Sequence, residues 1–80
     1  MLNDLKTAKK VTGAKQVTRA LKSGTARLVY LAENADPRVT EPIKSLCGQT
    51  AVPVVPVATM EELGGACGIA VGSAVAAVVE

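Results

Sequence analysis

Three apolar runs of strand character, 27–32 (RLVYLA), 52–57 (VPVVPV) and 73–79 (SAVAAVV), alternate with segments whose apolar residues recur at helical spacing. That alternation narrows the accessible folds more than any other feature of the chain. The first run reads as a strand buried on both faces. In the second, Pro53 and Pro56 restrict ladder hydrogen bonds and predict a short strand. The pattern predicts an α/β fold, a three-layer α/β/α sandwich around a small mixed sheet. With 80 residues, no internal repeat and no low-complexity tail, the chain reads as a single domain over 1–80. A domain of this size buries only about 60–65 % of the surface of its unfolded chain.

The helical segments carry their own punctuation. Leu2, Leu5 and Ala8 mark one face of a short first helix bearing Lys6, Lys9 and Lys10, followed by extended Val11 and Thr12. A second helix ends at Gly24, which suits a left-handed C-cap. Asp36 and Pro37 look like a cap and a first helical residue, but Pro42 opposes a helix running straight through, so the main helix is expected to start near Thr40. Val39, Ile43, Leu46 and Cys47 share its inner side. Thr59 to Glu62 forms a T-x-x-E capping box, opening a helix that buries Leu63, Ala66 and Cys67 and ends near Gly68.

The second helix, within 12–24 (TGAKQVTRALKSG), carries the chemistry. Gly13 precedes a first turn holding Lys15, where the free N–H groups and the positive end of the macrodipole favour Asp or Glu. A bound phosphate resolves that conflict. Lys15, Arg19 and Lys22 fall on one face, and Val17, Ala20 and Leu21 on another. Such a stripe also suits a solvated surface helix. Charge distribution favours the ligand. Residues 1–27 hold seven basic side chains against Asp4, a balance of +6, whereas 28–80 hold Arg38 and Lys44 against six acidic residues, a balance of −4. A charge map this lopsided orients a protein toward a polyanion, and nucleic acid leads.

With no Phe, no Trp and one Tyr, the chain lacks the stacking platforms of single-strand readers. It should read a structured shape and a few base edges. Cys47 and Cys67 with no histidine fail the four-ligand zinc pattern, and they read as buried free thiols. Neither has an evident base, and no paired carboxylates suggest acid–base work, so an enzyme is not expected and neither cofactor nor metal is implied. The apolar run 74–79 is too short for the roughly 20 residues of a bilayer span. No secretory signal is recognised, and the expectation is a soluble, cytoplasmic protein with no membrane partner.

Together, 13–19 (GAKQVTR), the strand and turn 28–37, and 62–69 (ELGGACGI) resemble the kink-turn RNA-binding family of archaeal and eukaryotic ribosomal and ribonucleoprotein components. The similarity is greatest to the short bacterial members of YbxF type. The resemblance covers nearly the whole chain, and L-G-x-A-C-G is its most specific piece. It implies binding to an RNA duplex bent at an internal loop with tandem sheared G·A pairs, in a ribosome-associated or ribosomal-protein-like setting. The family signature reads glycine, any, asparagine, glutamate, any, any, lysine. Gly13 matches, Arg19 keeps the charge of the lysine, and Lys15 and Gln16 replace asparagine and glutamate. Gln16 accepts hydrogen bonds without charge assistance, so weaker binding than with glutamate is expected.

By the same resemblance, Asp36 matches an acidic position beside the RNA, where it caps a helix or orients a cation. Gly68, Ile69, Ala70 and Val71 match a loop that packs against a flipped-out nucleotide. The implied RNA-binding set is Gly13, Ala14, Lys15, Gln16, Arg19, Lys22, Asp36, Gly68, Ile69, Ala70 and Val71, in a monomer. The competing class is a protein-interaction module of a ribonucleoprotein assembly whose basic helix touches only phosphates.

Overall fold

The structure, a computed structural model, describes residues 9–68 and 72–79. Among these the order is β1 (Lys10–Thr12), α1 (Ala14–Ser23), β2 (Ala26–Ala32), α2 (Pro37–Thr50), β3 (Val54–Val57), α3 (Met60–Ala66) and β4 (Val75–Val79). The first helix expected over Leu2, Leu5 and Ala8, the residues Ile69, Ala70 and Val71, and Glu80 lie outside the described residues. Lys10, expected on that helix, is instead in β1, opposite Val78.

The strands form one mixed sheet in the order β1-β4-β2-β3. β4 is antiparallel to β1 and β2, and β2 is parallel to β3. Alternation along the central strands divides the core. Val29 and Leu31 of β2 with Val75 and Ala77 of β4 meet Val17 and Leu21 of α1 and Ile43 and Cys47 of α2. Tyr30, Ala32 and Ala76 point the other way, toward Leu63 and Cys67. β2 is thus covered on both faces, as its unbroken apolar run predicts, and the α/β/α sandwich stands. Both thiols are buried, and burial pushes their pKa values up, which keeps them protonated and inert.

The main helix differs from expectation at its start. It begins at Pro37, the N1 position, and runs through Pro42. Asp36 makes this possible by accepting the Arg38 backbone N–H at 2.9 Å. Pro42 deprives only the Arg38 carbonyl of its intrahelical donor, and both residues are exposed, so the lost bond falls on the solvent side of the helix and not in the core. Pro42→Ala should therefore stabilise the fold by on the order of 1 kcal/mol, measured by urea denaturation.

Strand directions also fix where the connections fall. Thr12 lies opposite Ala76, Leu31 opposite Val75, and Ala32 opposite Val57. The C-terminal ends of β1, β2 and β3 and the N-terminal end of β4 therefore share one end of the sheet. All three helices start from that end.

Candidate nucleic-acid interface

Hydrogen bonds across elements tie that end together. Gly13 N–H donates to the Val75 carbonyl at 3.1 Å, Ala32 N–H to Ala74 at 2.9 Å, and Glu33 N–H to Val57 at 2.7 Å. Asn34 Oδ1 accepts the Met60 N–H at 2.8 Å, and Ser73 N–H donates to the Met60 carbonyl at 3.0 Å. The return of the chain into β4 passes so close that a Cβ on Gly72 would stand 3.1 Å from Met60 Cβ. Four connections thus form one braced rim.

Gly13 caps α1 with φ 91° and ψ 147°, a conformation that is nearly glycine-only, and it offers no side chain to the first-turn amides. A Cβ there would meet nothing within 4 Å, so backbone conformation and not crowding demands the glycine. The first turn contains no acidic residue. Amides of Ala14, Lys15 and Gln16 have no intrahelical acceptor, and Gly13 leaves them accessible.

Lys15, Arg19 and Lys22 are exposed and line one open depression of about 470 Å³ together with Thr18 and Ser23. None of the three makes an ion pair with a described residue. Gln16 faces a neighbouring groove of about 190 Å³, bordered by Val11, Ala20 and Val79, which Arg19 shares. Arg19 therefore stands on the ridge between the two.

Asp36 lies at the same rim, starting α2. Its side chain caps the helix and also binds the Arg38 guanidinium, Oδ2 to Nη2 at 2.7 Å. These bonds from Arg38 hold the Asp36 carboxyl below the usual carboxylate range. Gly68, exposed at φ 79°, follows α3 and donates its N–H to the Gly65 carbonyl at 3.1 Å. Thus Gly13, Ala14, Lys15, Gln16 and Asp36 gather at one rim, Arg19 and Lys22 run away from it along α1, and Gly68 leads out of α3.

Arg38, which is not in the set the resemblance implies, joins the rim through Asp36. Its signal in the sequence is an arginine two residues after a capping aspartate, where the cap itself can hold the guanidinium. Among the described residues no group of three or more His, Cys, Asp or Glu could hold a metal ion, and no helix is long and apolar enough to cross a membrane.

The profile of the Ribosomal protein L7Ae/L30e/S12e/Gadd45 family matches residues 2–80. An RNA-binding protein of Geobacillus sp. (strain WCH70) is 43 % identical over 75 residues, covering 94 % of this chain and 92 % of the relative. RNA-binding protein YbxF of Geobacillus stearothermophilus is 43 % identical over 74 residues, covering 92 % and 90 %. Among solved structures, the Giardia lamblia 15.5kD RNA binding protein superposes with a TM-score of 0.90 at 29 % identity, over 99 % of this chain and 70 % of that one.

Proposed function

This chain belongs to the Ribosomal protein L7Ae/L30e/S12e/Gadd45 family, and from that premise we propose that it binds RNA, with a kink-turn as its ligand. The observation that carries the reading is the start of α1. A bare glycine cap, free amides and Lys15 occupy a position where folding alone favours an acid, at the rim shared with Asp36. Relatives named as RNA-binding proteins support the ligand class. The three cations of α1 supply phosphate and base-edge contacts, and Gln16, in the adjoining groove, accepts from guanine N–H groups. Recognition, with no chemical step, is the whole mechanism. A cytoplasmic, ribosome-associated monomer belongs to the same reading.

The test is a calorimetric titration against a kink-turn RNA and a control whose sheared G·A pairs are made Watson–Crick, at near-physiological salt. Tight binding to the first alone supports the reading. Equal weak binding to both overturns it in favour of a phosphate-contacting, protein-interaction module.

Lys22 lies two turns from Lys15, about 10 Å along the axis. Lys22→Ala should leave discrimination between the two RNAs intact and lower the slope of log K against log salt by about one. An unchanged slope removes Lys22 from the footprint.

A further inference from the structure

Arg38, in the first turn of α2, has a side chain that is 90 % exposed and nevertheless engaged by Asp36. Its Nε donates to Asp36 Oδ1 and Oδ2 at 3.3 and 3.1 Å, and its Nη2 donates to Oδ2 at 2.7 Å. Asp36 is oriented in turn, because Oδ1 accepts the Arg38 backbone N–H at 2.9 Å as the cap of α2. A guanidinium carries its five N–H groups in a rigid planar fork. With the Nε/Nη2 edge spent on Asp36, the Nη1/Nη2 edge is left on the far side of the plane's axis, its paired N–H groups directed away from the carboxylate. Such an edge fits two acceptors side by side, either the non-bridging oxygens of a phosphodiester or O6 and N7 of guanine. An arginine already paired in this orientation loses less rotamer freedom on making that contact than an unpaired one.

An independent pattern points the same way. α1 and α2 cover the same face of the sheet and start from the same end, and neither has an acidic residue in its first turn. They carry Lys15 and Arg38 there instead. α3, on the opposite face, follows the usual rule with Glu61 and Glu62. Asp36 satisfies the α2 dipole, and Arg38 then offsets that gain, an arrangement the fold does not need.

We infer that Arg38, buttressed by Asp36, is a second bidentate contact to the RNA, carrying the footprint from α1 onto α2; the inference rests on the RNA-binding reading above. Asp36 is the positioning residue. A lysine at 38 keeps the charge and loses the fork. R38K and R38A should therefore both weaken binding to the kink-turn RNA about ten-fold, with an unchanged melting temperature. D36N keeps a capping side chain but loses the charged buttress, and in that background R38K should cost far less, because the two changes break one unit.

Two further arms identify the acceptor. A salt slope lower by about 0.7–0.9 in R38A marks a phosphate. An unchanged slope, with equal loss for wild type on RNA carrying 7-deazaguanosine and no added loss from R38K, marks guanine. R38K binding like wild type overturns the inference on any RNA. Wild-type protein that binds kink-turn and control equally overturns the kink-turn reading instead, and the Arg38 contact is then read on either RNA. Failure to bind both RNAs overturns both.

Discussion

Leu63→Ala should destabilise the protein by about 2–5 kcal/mol, toward the upper end of that range for a buried truncation. Leu63 is fully buried among Tyr30, Ala32, Ala35, Val57, Cys67 and Ala76. Three of those neighbours are alanines, with no rotamer to move into the space a leucine leaves, so the cavity stays open and its walls lose their dispersion contacts. α3 has only seven residues, and Gly64 and Gly65 lie within it, each weakening a helix interior by roughly 1 kcal/mol relative to alanine. A helix so poor in intrinsic stability depends on the side chain that pins it to the sheet. Urea denaturation with the slope held common to both proteins measures the loss. A change below about 1 kcal/mol, smaller than any ordinary core truncation, would mean that α3 is not packed on β2 and β4 as described.

The same dependence links stability to the rim. α3 delivers Gly68, and the chain returns through Gly72 and Ser73 against Met60, the first residue of α3. Loss of the Leu63 anchor therefore loosens one of the four connections at the rim where α1 starts, although Leu63 itself is fully buried.

Local chemistry made much of this legible in the sequence. The Thr59 half of the expected capping box is observed, with Thr59 Oγ1 accepting the Glu62 N–H at 3.1 Å, and Gly24 adopts the left-handed C-cap at φ 78°. The double burial of β2 follows from an apolar run without alternation. These features depend on residues within a few positions of one another. Pro42 was misleading because the rule against an interior proline is a cost and not a prohibition: here the proline lies inside the helix on its exposed face, and the backbone bond it removes is the one to the Arg38 carbonyl. Strand order was beyond reach for another reason: placing β4 between β1 and β2 depends on pairings such as Thr12 with Ala76, which no local pattern encodes. Without that order, the convergence of Gly13, Lys15, Gln16 and Asp36 on one rim had to come from a family resemblance, whereas the Arg38 pose is a local contact, two residues from the Asp36 cap that holds it.

Arg19→Ala should weaken RNA binding by about 1–3 kcal/mol while leaving folding stability within about 0.5 kcal/mol of wild type. The division follows from position. Arg19 is exposed, but its neighbours Val17, Ala20 and Leu21 are buried, so the helix is held by the opposite face and truncation opens no cavity. It stands one turn along from Lys15 and borders both the depression shared with Lys15 and Lys22 and the groove shared with Gln16. Among the three cations of α1 it therefore has the best access to a base edge near the amide of Gln16, whereas Lys22 reaches only the flank. Arg19→Lys separates fork from charge. A lysine that recovers most of the affinity makes this a point contact to phosphate, whereas a lysine as weak as alanine makes it a bidentate contact to guanine. Wild-type affinity in Arg19→Ala would move the footprint off the middle of α1 and leave the first-turn amides and the α2 start to account for binding.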